Sequence, residues 1–201
     1  MPPTRKTGLR HCRTNQVIKG GHSVGITIKI PDTDQEFREM WQLNCDVFCR
    51  ELHQHPVPES GILVDRFHDN NFYRIAWDGE HVCGMICAHS DPPYSAVGHF
   101  GDVMAKEVIP GKTAEIRLFA IRLGFRGSRI MAQLAAALSF DLKARGIEKV
   151  IITAVADRRR LYEHIGFEVI GDSIRDGEVE FYPMIANVNR SAEMLRAIFP
   201  F

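Results

Sequence analysis

Between residues 115 and 155 the chain spells a strand, a turn, a helix and a second strand, and that order leaves few folds open. Residues 115–121 (EIRLFAI) read as a strand and run into Gly124-Phe-Arg-Gly-Ser-Arg129. After Gly127, Ile130, Leu134 and Leu138, with Met131, Ala135 and Leu142 beside them, recur at helical spacing as far as Gly146. Residues 150–155 (VIITAV) form a continuous apolar run of the kind buried on both faces of a sheet.

The flanking segments fit the same plan. Residues 24–30 alternate Ile26, Ile28 and Ile30 on one side, a half-buried strand. Thr33-x-x-Glu36 is a capping box, and Phe37, Met40, Trp41, Phe48 and Leu52 predict a helix over 33–52. Residues 72–77 and 81–88 flank Asp78-Gly79, a hairpin signal. A connection of about 25 residues then precedes residue 115, far longer than a hairpin needs and of the kind that carries function. A short helix over 158–164 stops at Gly166, residues 167–170 and 179–185 make a last hairpin, and Asn189 or Ser191 caps a final helix carrying Leu195, Ile198 and Phe199. The sum is an α/β (α+β) fold with a mixed central sheet of six to seven strands flanked by helices, not a doubly wound one. Residues 1–22 read as a loose basic arm and 23–201 as one domain.

With 25 Lys+Arg against 25 Asp+Glu, the chain has no bulk attraction to polyanions, so nucleic acid is not an expected partner. No stretch approaches the ~20 apolar residues of a membrane span, the first residues lack the apolar core of a secretion signal, and five cysteines do not form a disulfide framework; a cytoplasmic protein is expected. The neutral total hides an asymmetry. Residues 31–107 hold five basic against fourteen acidic side chains, and 114–160 hold ten against four, which suggests differently charged faces for two substrates.

The junction of strand, loop and helix at 121–130 aims free backbone N–H groups at an anion, and Arg126 and Arg129 add charge there. From this loop onward the sequence resembles the GNAT acyltransferase superfamily, over about residues 24–188. Arg126-Gly-Ser-Arg129-Ile-Met131 is similar to the family's Arg/Gln-x-x-Gly-x-Gly/Ala loop, with Arg and Met at its later small positions. Leu161-Tyr162-Glu-His-Ile-Gly166-Phe167 is similar to its Tyr-Glu-x-x-Gly-Phe signature. The resemblance implies a pantetheine thioester as donor, acyl-CoA or acyl-phosphopantetheine, with Phe119 and Ile121 along its arm and Arg126, Gly127, Ser128 and Arg129 at its phosphates. It implies Glu115 as general base toward the amine, Tyr162 as general acid toward the departing thiolate, and no metal.

The first half resembles a narrower branch. Val47-Phe48-x-x-Glu51-Leu52, Asp65-Arg-Phe-His-Asp69, the hairpin, Pro93-Tyr94 and Ile109-Pro110 are similar to the layout of acyl-homoserine-lactone autoinducer synthases and N-acyl amino acid synthases. The autoinducer signature's Arg, Trp, second Asp and second Arg are here Asn44, Gln54, His68 and Leu118, which disfavours lactone synthesis. The expected activity is transfer of an acyl group to a small-molecule amine, with Asp65 and Asp69 holding its ammonium and with Arg126, Arg129 and Arg158–Arg160 either meeting coenzyme A phosphates or forming a docking patch for an acidic acyl carrier protein. An acetyl-CoA-dependent N-acetyltransferase is the alternative, and a non-catalytic acyl-thioester sensor the second. Cys45, Cys49 and His53, with His55 close by, have metal-ligand spacing, but the cysteines border the apolar stripe, as do Cys83 and Cys87 on one side of a strand, and core roles are expected.

Overall fold

The computed structural model describes residues 25–127 and 129–198. The basic arm over 1–22, Val24, Ser128 and Phe199 lie outside the described residues. Among the described residues eight strands form one sheet in the order β1 (Thr27–Lys29), β2 (Phe72–Trp77), β3 (Val82–His89), β4 (Thr113–Ile121), β5 (Lys149–Val155), β8 (Val179–Asn187), β6 (Glu168–Val169), with β7 (Ile174–Asp176) also on β8. β7 is the strand beyond the six or seven expected. Every pair is antiparallel except β4 with β5, which α4 (Ile130–Ala144) connects.

Each face of the sheet is covered by a different set of helices. α1 (Asp34–Cys45) lays Met40 and Leu43 on Tyr73, Ile75, Met85 and Cys87. The long connection folds as α2 (Ser95–Phe100) and α3 (Asp102–Ala105), which pack Ala96 and Met104 on Ile151 beside α1. On the opposite face α4 and α6 (Val188–Ile198) bury Leu134, Leu138, Leu142 and Leu195 against Val150, Ile152 and Met184. Gly84 marks how closely β3 approaches α4: a Cβ there would lie 3.0 Å from Leu134 Cδ1 and 3.1 Å from Ile130 Cγ2.

Several local expectations change. Thr33 accepts from Glu36 N, but the Glu36 carboxylate returns to Asp32 N and Lys29, one residue short of a reciprocal box. The helix expected over 33–52 changes pitch at Asp46 into a π-helical turn, Asp46–Glu51, that buries Val47 and Cys49 and leaves Glu51 outward. Ile30 is 56% exposed, because β1 ends before it. A bulge at Cys83 sends Cys83 to the α4 face and Cys87 to the α1 face, so they do not share a side. The last helix is capped by Asn187, whose Oδ1 accepts from Asn189 N and Arg190 N.

Candidate active site

β4 and β5 pair only from Thr113 to Glu115, opposite Lys149 to Ile151, and then diverge. A second bulge lies in β4 just past that point: Cys87 pairs with Arg117 and Met85 with Ala120, so Ile86 faces two residues, and Leu118 takes φ +50°. The divergence opens a cleft of about 830 Å³ that crosses the sheet. Its half under α4, α5 (Arg159–His164) and α6 is apolar, with Met131, Leu138, Leu142, Tyr162, Phe167 and Leu195 among its walls. Its half under α1 and α2 is polar, with Asn44, Asp65, Arg66, Ser95, Glu115 and Arg117. Phe119 and Ile121 lie on the β4 edge facing the gap.

Glu115 is 2% exposed, and its carboxylate is held from three directions. Oε1 accepts from Ala96 N at 2.8 Å, while Oε2 accepts from Ser95 N at 2.8 Å and meets His89 Nε2 at 3.0 Å. His89 Nδ1 faces the Asp91 carbonyl at 2.8 Å, an acceptor only, so that nitrogen carries a proton. Ala96 N fills one of the two acceptor positions on Oε1, and Glu115 lines the polar half of the cleft.

Arg117, two residues on and on the same face, is the cation sequence reasoning missed, although period 2 from Glu115 signals it. It grips Asp65 with Nε at 3.2 Å and Nη2 at 2.9 Å, and Nη1 donates to Ser95 Oγ. Arg66 Nη2 reaches the same hydroxyl at 2.9 Å. Both guanidiniums lie over the Phe67 ring, 4.7 and 4.8 Å from its centroid. Burial pushes the Asp65 carboxyl up, but Arg117, Asn71 and His89 outweigh it and hold the group below the usual carboxylate range. Asp65 is therefore committed to Arg117 rather than free for an ammonium. Asp69 is exposed and does not line the cleft, so the structure does not bring the two aspartates together.

Tyr162 stands on α5 against Phe167, with ring centroids 5.7 Å apart, and lines the apolar half. Burial raises its phenol above the ordinary tyrosine range against a weaker pull from Arg158, so it stays protonated at neutral pH. Gly166 closes α5 at φ +94°, and a Cβ there would come within 2.9 Å of Met194 Sδ. The basic residues do not act as one patch. Arg126, Gly127 and Arg158 line the cleft mouth, whereas Arg129 does not, and Arg159 turns away onto Glu163 and the Tyr182 ring. Ser128 lies outside the described residues. Cys45 and Cys49 are buried while His53 and His55 are exposed, so these four do not converge; burial and the neighbouring Cys45 push the Cys49 thiol up to about 11.

A parallel pair that opens after three residues, a bulged strand at the opening and a helix launched from a Gly-Arg loop coincide with a match of residues 35–167 to the family model described as "Acetyltransferase (GNAT) family". The chain belongs to this GNAT family and is an acyltransferase. No curated protein sequence matches it. Among solved structures it is similar to BjaI, a CoA-dependent acyl-homoserine lactone synthase, at 16% identity and TM-score 0.75 over 87% of this chain and 89% of that one. It is similar to the AHL synthase LasI at 17% identity and TM-score 0.73, covering 87% and 96%. It is also similar to FeeM, an N-acyl amino acid synthase from uncultured soil microbes, at 17% identity and TM-score 0.68, covering 85% and 94%. At these identities the likeness speaks for the GNAT fold. Among the described residues no helix is long and apolar enough to cross a membrane.

Proposed function

We propose that this acyltransferase moves an acyl chain from a pantetheine thioester, carried by coenzyme A or an acyl carrier protein, to the amine of a small molecule. The cleft carries the reading: one continuous passage with an apolar half for the chain, a polar half for the acceptor, and the diverging strands between them. Met131, Leu138, Leu142, Phe167 and Leu195 wall the apolar half, more hydrocarbon surface than the methyl of an acetyl group can cover. That supports the longer-chain reading over an acetyl-CoA-dependent N-acetyltransferase. BjaI, whose structure was determined with SAM and isopentyl-CoA, sets a precedent for a CoA-borne donor on this fold.

The acceptor is an amine that also carries an anionic group. Arg66 forms its hydrogen bond with Ser95 and no ion pair among the described residues, which leaves its charge for a carboxylate. Asn44 Oδ1 is buried without a donor among the described residues and lines the same half, an acceptor for an amine N–H. Glu115 takes the amine proton through a water at the second acceptor position on Oε1, and Tyr162 returns a proton to the leaving thiolate. Direct attack needs no resident metal or redox group.

The test is turnover of acyl-CoA and acyl-carrier-protein donors of graded length with a panel of amines, with and without a carboxylate, followed by thiol release and product mass. Tyr162→Phe should lower kcat by ~10²-fold with little change in KM. Turnover confined to acetyl donors would overturn the chain-length reading, binding without any turnover would favour a sensor, and an unchanged kcat in Tyr162→Phe would remove Tyr162 from the mechanism.

A further inference from the structure

At the cleft mouth the loop after β4 is tied to the π-helical turn after α1. Arg126 Nη1 and Nη2 meet Glu51 Oε1 and Oε2 at 2.5 and 2.6 Å, and Nε donates to the Ile121 carbonyl at 3.0 Å. The forked face of this guanidinium, the face that would clasp a phosphate, is filled by a carboxylate. Hydrogen bonds from Arg126 hold Glu51 below the usual carboxylate range, with Arg158 adding to the pull. Glu51, Arg126 and Arg158 all line the cleft. Glu51 thus cancels the charge of Arg126 before any donor arrives. The pair is 31% and 41% exposed, so it stands at the entrance rather than in the core.

A pyrophosphate brings two adjacent charges and needs the Arg126 fork, so it must displace Glu51 and then sit beside it. A single phosphodiester brings one charge, which Arg158 and the N–H groups of Arg126 outside the fork can meet with the Glu51 pair intact.

We propose that Glu51 selects the donor: by holding Arg126 it admits the phosphodiester of phosphopantetheine on a carrier protein and disfavours the pyrophosphate of free coenzyme A. This rests on the pantetheine reading above. The probes are pantetheine, a short peptide bearing phosphopantetheine on serine, and coenzyme A, each titrated calorimetrically into the whole chain and into Glu51→Gln. In the unsubstituted protein, coenzyme A should bind no tighter than the peptide. Glu51→Gln should tighten coenzyme A by about tenfold, leave pantetheine within about twofold, and lose part of the gain at high salt. With acyl donors, the same variant should raise kcat/KM for acyl-CoA relative to the acyl-carrier protein. An unchanged ratio of coenzyme A to peptide affinity overturns the proposal, and so does weaker coenzyme A binding, which would make Glu51 an aid that orients Arg126. If none of the three probes binds either protein, the pantetheine reading fails as well, an outcome distinct from an unchanged ratio among probes that do bind. Glu51 is a surface residue, and an unaltered unfolding midpoint in the variant checks that only the corner changed.

Discussion

Replacing Glu115 by Gln keeps shape and volume but removes one acceptor, and the geometry gives the cost. Whichever way the amide lies, its NH2 faces one of the two backbone N–H groups that the carboxylate accepted at 2.8 Å, Ala96 N in one flip and Ser95 N in the other. One buried N–H then has no partner, worth about 1–3 kcal/mol, and the other backbone bond passes from a charged acceptor to a neutral one, weaker by about 1 kcal/mol. The expected loss is about 2–4 kcal/mol of unfolding free energy, or roughly 10 °C in Tm for a chain of this size. The loss should be local in origin. Hydrogen exchange at Ser95 and Ala96 should accelerate more than at β5, since these amides start α2 and anchor the β3–β4 connection. Urea unfolding with an unchanged m-value measures the first quantity and exchange the second. A shift below about 1 kcal/mol, or a drop in stability with the two amides still protected, would refute the view that this carboxylate pins the connection. Activity of the variant, assayed well below its midpoint, then separates loss of a proton acceptor from loss of fold.

Two further outcomes follow from the same kind of accounting. Asp65 is held below its usual pKa, so between its folded and unfolded values, the latter ~3.9, the unfolded chain binds more protons, and stability falls as pH falls through that window. Asp65→Asn should therefore be destabilised at neutral pH, and the difference from the unsubstituted protein should narrow as pH falls below about 4; a gap that stays constant throughout an acid titration would contradict the assignment. Gly166→Ala meets both a positive φ and a contact at 2.9 Å with Met194, and should cost about 1–3 kcal/mol in chemical denaturation, whereas a neutral result would mean α6 gives way freely.

What the sequence discloses is what its local periods encode. The β4–α4–β5 unit was legible because the strand at 115–121, the stripe from Ile130 to Leu142 and the apolar run at 150–155 each carry their own signal. The bulges at Cys83 and Leu118 were not, since an extra residue in one strand exists only relative to its neighbour, and each bulge reverses the faces that simple alternation assigns. The motif residues Glu115, Tyr162 and Arg126 all reach the cleft, but their partners stand far off in sequence: His89 is 26 residues from Glu115, Asp65 is 52 from Arg117, and Glu51 is 75 from Arg126. No spacing rule reports such pairings. Asp69 shows the converse, a carboxylate in the right run whose backbone turns it to solvent.

The charge asymmetry resolves in the same terms. An acidic stretch over 31–107 and a basic one over 114–160 suggested two faces of opposite sign, yet the segments spend much of their charge on each other. Arg117 pairs with Asp65, Arg122 with Glu39, Arg126 with Glu51 and Lys149 with Glu107, each joining the basic stretch to the acidic one. Two of these pairs, Arg117–Asp65 and Arg126–Glu51, line the cleft, one in its polar half and one at its mouth. A charge bound within the fold costs a ligand more to recruit than a free one, so selectivity rests on which cations remain. In the polar half that cation is Arg66, an exposed basic residue inside the acidic stretch with no carboxylate partner among the described residues. At the mouth it is Arg158, beside a fork already filled. Pairing within the fold thus leaves one guanidinium without a carboxylate partner among the described residues at each end of the passage, and the function proposed above assigns these two to a carboxylate on the acceptor and a phosphate on the donor.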